Sequence, residues 1–193
     1  MSYLEKNIRF IGNNHKVSYY DEGADNAPVI ILIHGFPFNK SMWKKQIDLL
    51  IDNSRVIAYD IRGHGNSDAG NEEFTIDLFV KDLLLLMDAL KIDQATLCGL
   101  SMGGYIALNA IENHPNCFNA LILSDTHCIA DTPEVKEKRM KAIRNIQENG
   151  VEQFAADMIN SLFASESLIT KKDEMAMVRT MITNTAVQTL VNT

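Results

Sequence analysis

Cysteine is scarce in this chain. Cys98, Cys117 and Cys128 are the only three in 193 residues. An odd number without C-x-x-C spacing excludes both a disulfide framework and a cysteine zinc site. They read as small buried hydrophobes in a reducing compartment, and neither a metal nor a cofactor is expected. Long apolar runs are missing too. No stretch approaches the length that spans a bilayer, and the opening Met-Ser-Tyr-Leu-Glu-Lys-Asn has no apolar signal region, so a soluble, cytoplasmic protein without a membrane partner is expected. Positive charge is also short: the net charge is −7, and the basic stretch 136–144 is broken by Glu137 and preceded by Glu134. Without a Lys/Arg stripe, nucleic acid is excluded as the main partner.

What the chain does have is a regular alternation of strand and helix signals. Asn7 to Gly12 and Lys16 to Asp21 read as two strands joined by a hairpin at Asn13-Asn14-His15. Val29-Ile30-Ile31-Leu32-Ile33 is a continuous apolar run, as expected of a strand buried on both faces of a parallel sheet. Ser41 can cap a helix to about Ile51, and strand Arg55 to Asp60 follows. Thr75 caps a helix in which Ile76, Phe79, Leu83, Leu86 and Leu90 keep helical spacing. Strand Ala95 to Cys98, a helix from Ser101 to about Asn113 that ends before Pro115, and strand Ala120 to Ser124 complete the alternation. This order predicts an α/β fold with a doubly wound, mostly parallel sheet and right-handed crossovers.

After Asp125 the strand signals stop. Thr132-Pro133 opens a helix that Gly150 closes; Val151, Phe154, Met158, Ile159 and Leu162 make a second, and helical pattern continues from about Lys172 to Ile182 and from Asn184 onward. The chain therefore divides into a core, residues 1–130, and a helical lid, residues 131–193.

Three motifs carry the chemistry. Gly99-x-Ser101-x-Gly103 sits between an apolar strand and a helix, where a sharp turn flanked by glycines lifts a serine above the sheet. Upstream lie Ile33-His34-Gly35-Phe36-Pro37 and Asp60-Ile61-Arg62-Gly63-His64-Gly65-x-Ser67. The latter reads as a strand end and turn whose polar groups bond one another and the backbone; a phosphate cradle would need the lysine and spacing of a Walker loop, which are absent. Phe36 and Phe38 are candidates to wall an acyl pocket, and Trp43 is either a third wall or an apolar helix anchor.

In order and spacing these motifs resemble the α/β-hydrolase fold superfamily, in the branch of small esterases, enol-lactonases, C–C bond hydrolases and cofactor-free haloperoxidases. The resemblance implies Ser101 as the nucleophile and the backbone N–H groups of Phe36 and Met102 as the oxyanion hole, with a small ester-like molecule as substrate. It leaves His34 a structural role, and it disfavours a dehalogenase, whose branch carries Asp where this chain has Ser101.

The family's order places the triad acid and then the base after the nucleophile, on two further strand–helix units of about 30 residues each. The chain is accordingly expected to be a truncated hydrolase, strands 1 to 6 plus most of a lid, with the final two units absent. Asp125 and His127 are the possible stand-ins for acid and base, since His15, His34, His64 and His114 fall in other positions. In extended backbone both would point to one side, yet an acid must hold its histidine at the far nitrogen, which a pair two residues apart can hardly do. Strand 120–124 would also be an exposed parallel edge, to be covered by a missing C-terminal segment or a second chain. The expected function is hydrolysis of an ester, thioester or lactone, impaired in the chain as it stands. The alternatives are a non-catalytic small-molecule receptor on the same fold and a cofactor-free peroxidase.

Overall fold

The computed structural model describes residues 7–12 and 14–193. Two compact units divide the chain, Met1–Cys128 and Ile129–Thr193. In the first unit, six strands form one sheet: β1 (Asn7–Ile11), β2 (His15–Glu22), β3 (Val29–Ile33), β4 (Arg55–Tyr59), β5 (Ala95–Leu100) and β6 (Phe118–Ser124). Their spatial order is β1-β2-β4-β3-β5-β6. β1 and β2 are the antiparallel hairpin; its turn residue Asn13 lies outside the described residues. β2 runs antiparallel to β4, and β4, β3, β5 and β6 are mutually parallel.

The apolar run of β3 occupies the centre because it alone is apolar at every position, so both of its faces can be covered. Strand alternation divides the side chains between two layers. Tyr19, Ile31, Ile33, Ile57, Tyr59 and Leu97 enter the larger core with Phe79, Leu83 and Leu86 of α2 (Ile76–Ala89) and Ile106, Ala107 and Ala110 of α3 (Met102–Asn113). Tyr20, Leu32, Val56, Ala58 and Cys98 face the other way, against Trp43 and Ile47 of the segment containing α1 (Lys44–Leu50). Trp43 is thus a buried anchor of this smaller core.

Local signals explain most helix starts. Thr75 Oγ1 accepts the Leu78 N–H at 3.1 Å, as its capping position predicts. The helix expected from Ser41 begins differently: Asn39 Oδ1 accepts both the Ser41 N–H and its hydroxyl, capping a 3₁₀ turn, Lys40–Trp43, that leads into α1. Two residues of capping type, Asn39 and Ser41, compete there, and Asn39 has the extended backbone a cap requires.

The second unit is helical: α4 (Pro133–Leu162), α5 (Ser165–Thr170), α6 (Lys172–Thr183) and α7 (Val187–Asn192). Thr132 caps α4, which breaks at Gly150, where φ is 80° and ψ 173°. α4 packs on α6 and α7, burying Ile146, Phe154, Ile159, Met181, Ile182 and Leu190. Among the described residues no helix is long and apolar enough to cross a membrane. The cysteines depart in one place from the reading as buried hydrophobes: Cys98 is buried and Cys117 half-buried, but Cys128 is exposed, because it follows the end of β6 in chain that forms no regular element.

Candidate active site

Ser101 lies between β5 and α3 with φ 50° and ψ −114°. A non-glycine residue with positive φ is held there against steric cost, of order 1–3 kcal/mol, by its surroundings. Those surroundings come from the end of β6. The Ser101 N–H donates to the Ser124 carbonyl at 3.0 Å, and Thr126 Oγ1 donates to the Ser101 carbonyl at 2.8 Å. The glycines make the turn possible. A Cβ at Gly99 would lie 2.3 Å from the Gly103 carbonyl oxygen, and one at Gly103 would lie 2.3 Å from that of Ile33.

The loop after β3 comes to the same point, since a Cβ at Gly35 would stand 3.3 Å from Ser101 Cβ. Phe36 follows immediately. Met102 is the first residue of α3, and first-turn N–H groups have no acceptor within their own helix. The residue before Phe36 and the start of α3 therefore both adjoin the serine.

Both ends of this loop are tied to the residues just after β4. His34 is fully buried; its Nδ1 meets the Gly35 carbonyl at 3.0 Å, and its Nε2 accepts the Ile61 N–H at 2.9 Å. Burial, with His64 nearby, pushes its pKa well below the usual histidine value, which keeps Nε2 an acceptor. At the other end the Lys40 N–H donates to Asp60 Oδ1 at 2.9 Å, and Lys40 Nζ donates to Asp60 Oδ2 at 2.6 Å. The same Oδ2 accepts the Asn66 N–H, while Ser67 Oγ donates to the Asp60 carbonyl. Arg62 makes a bidentate pair with buried Asp82 on α2 and also reaches Glu72. The Asp60 to Ser67 motif is a knot of internal bonds.

The 140-residue segment 28–167 matches the model of the family described as alpha/beta hydrolase fold. The chain belongs to the α/β-hydrolase family. It is 33% identical over 140 residues to 3-oxoadipate enol-lactonase 2 of Acinetobacter baylyi, covering 72% of this chain and 52% of that protein. Among solved structures it is similar to the enol-lactonase of Burkholderia xenovorans LB400, with a TM-score of 0.89, 29% identity, and coverage of 96% of this chain and 71% of that one. A thermophilic esterase from Thermogutta terrifontis gives a TM-score of 0.87 at 28% identity, over 97% of this chain and 70% of the esterase. The chain spans about half the length of the curated lactonase it matches.

Within this α/β-hydrolase the five residues singled out by sequence part company. Ser101 and Met102 are neighbours at the start of α3, and Gly35, the residue before Phe36, stands against Ser101 Cβ. Asp125 and His127 do not join them: among the described residues neither makes a hydrogen bond to the other or to Ser101. Asp125 has φ 43°, so the backbone is not extended there, and His127 is exposed with its ring 5.7 Å from that of Tyr105. Thr126, between them, is the residue that sequence reasoning missed. A Cβ at Gly104 would meet its side chain at 2.5 Å, so a small residue at 104 was the available signal. Among the described residues no group of three or more His, Cys, Asp or Glu side chains is placed to hold a metal ion. A surface groove of about 720 Å³ between α2 and α3, floored by Val80, Leu84 and Leu85, contains none of the site residues.

Proposed function

We propose that this chain carries the nucleophile and oxyanion hole of a serine hydrolase acting on a carboxylic ester, thioester or lactone. The observation that carries the reading is Ser101 held at φ 50° on a strand-to-helix turn with the Gly35 backbone against its Cβ. Ser101 Oγ attacks the carbonyl carbon and gives its proton to a base. The N–H groups of Phe36 and Met102 stabilise the oxyanion that forms. Collapse of the tetrahedral intermediate expels the alcohol or thiol, which takes the proton back, and water then releases the acyl group from Ser101. The small-ester substrate class is supported by the named activities of the esterase and the lactonases.

The acid and the base come, in this reading, from outside residues 1–193, because Asp125 and His127 are not arranged to serve. The same additional chain, or a second polypeptide, covers β6, where Ile122 and Leu123 are 49% and 46% exposed on the sheet's outer strand. Residues 131–193 are the helical lid in this reading, and the protein works in the cytoplasm. For the 193 residues alone, loss of the base lowers turnover by about 10⁶, while an oxyanion hole preserves about 10³ over water.

A fluorophosphonate probe and a p-nitrophenyl ester test this. Labelling of Ser101, lost in Ser101→Ala, with only slow ester turnover, is the expected result. Rapid, saturable turnover abolished by Ser101→Ala would show that the triad is complete within the chain. The lack of any hydrogen-bonded base at Ser101 among the described residues favours one rival, a small-molecule receptor on the same fold. Tight ligand binding without labelling would establish it.

A further inference from the structure

Lys40 is buried almost completely, which is rare for a lysine and costly unless the ammonium is compensated. Its Nζ lies 2.6 Å from Asp60 Oδ2 and 2.9 Å from Ser18 Oγ, and 5.0 Å above the Tyr20 ring. The side chains of Lys40 and Asp60 are 3% and 0% exposed. A buried pair of this kind is weak evidence for stability, since apolar residues of similar volume often serve as well; its effect is to fix one arrangement. Here the arrangement fixed is that of residues 34–40. The carboxylate that neutralises Nζ also accepts Lys40's own N–H, and the neighbouring Ile61 N–H holds His34. Two adjacent residues after β4 therefore grip the two ends of the loop, and between the grips the Phe38 N–H closes a turn onto the Gly35 carbonyl at 2.9 Å. Phe36 sits inside that turn.

We propose that Lys40, through Asp60, is a positioning residue for the Phe36 oxyanion donor, an inference that rests on the serine-hydrolase reading of Ser101. Lys40 acts through Asp60 rather than on the reacting atoms. Its Nζ holds Asp60 Oδ2, so that Oδ1 stays aimed at the loop's backbone. Without the ammonium the buried carboxylate loses the partner that fixes its orientation and turns away, and the loop end is released. A displacement of about 1 Å in a donor is enough to lose about 10²-fold in rate.

The test uses the 193-residue chain, Lys40→Met and the double variant Lys40→Met/Asp60→Asn. In the double variant both charges are gone, but the Asn oxygen can still accept the N–H of residue 40. Amide exchange by NMR should quicken at least tenfold at Phe38 and at residue 40, whose N–H groups are bonded to the Gly35 carbonyl and to Asp60, in Lys40→Met while Ile31 to Ile33 on β3 stay protected. Residual hydrolysis of p-nitrophenyl butyrate should lose about 10² in kcat with KM within about threefold. The double variant should recover most of both. Unchanged exchange at Phe38 and residue 40, or a rise in KM at constant kcat, would overturn the positioning role. So would a double variant no better than the single, since the backbone anchor would then be irrelevant. Failure of the fluorophosphonate probe to label Ser101 in the unsubstituted chain would instead sink the nucleophile assignment, and the exchange data would still decide whether Lys40 holds the loop.

Discussion

Gly103→Ala isolates what the serine turn depends on. The added methyl would stand 2.3 Å from the Ile33 carbonyl oxygen and 2.8 Å from both the Ile33 carbonyl carbon and the His34 carbonyl oxygen. All three atoms are backbone, so no rotamer change relieves the contact. Relief to an ordinary carbon contact of about 3.5 Å requires α3 and β3 to separate by roughly 1 Å. That strain is of the over-packing kind and should cost about 2–3 kcal/mol, which at this chain length lowers the melting temperature by about 5–10 °C. The same separation pulls Met102 away from the loop that carries Phe36, so Ser101 phosphonylation should slow by about 10². Thermal melts followed by circular dichroism, and labelling rates on the still-folded variant, provide the two readings. Gly150→Ala is the control, since a Cβ there meets nothing within 4 Å and only the positive φ is penalised. A Gly103→Ala variant that melts and labels like the unsubstituted chain would refute the close-approach argument.

His64 is buried and its pKa is lowered by that burial from 6.5 to about 4. The folded state therefore resists a proton that the unfolded chain accepts. Its stabilising contribution is complete above pH 6.5 and is lost as pH falls toward 4, amounting to about 3 kcal/mol, with His34 acting in the same direction. Urea midpoints between pH 7 and 4.5 should fall less steeply in His64→Phe, and an identical slope would contradict this. Asp82→Asn should cost about 3 kcal/mol, because the bidentate partner of buried Arg62 is weakened and only exposed Glu72 keeps its charge; Arg62→Met/Asp82→Leu should recover much of it in the same denaturation assay. Ile122→Lys places a charge on the outer strand and should reduce self-association in sedimentation velocity, whereas an unsubstituted chain that stays monomeric at high micromolar concentration would remove the reason to expect a covering segment.

The parts legible in sequence were those set by short-range chemistry. The all-apolar run of β3, the Thr75 and Thr132 caps, the break at Gly150 and the glycine-flanked serine each need only a few neighbouring residues to be interpreted. The parts that were not legible depend on partners far along the chain. β5 extends to Leu100, two residues beyond the expected end, because Gly99 and Leu100 pair with Leu123 and Ser124. Lys40 would pass for a surface lysine until Asp60, twenty residues later, folds over it. Asp125 seemed able to project beside His127 only while its backbone was taken as extended, and its positive φ is imposed where β6 ends. The strand order, with β4 inserted between β2 and β3, has no local signal at all.

The dependence of Ser101 on Ser124 and Thr126 also orders events during synthesis. Residues up to Asn113 already contain the glycine–serine motif and the whole of α3, but the acceptor for the Ser101 N–H and the hydroxyl that holds its carbonyl lie 23 and 25 residues downstream of it. A nascent chain therefore carries the motif as an ordinary flexible segment. The serine turn is assembled only when β6 emerges and docks beside β5, so that the turn and the strand that fixes it arrive together rather than in succession.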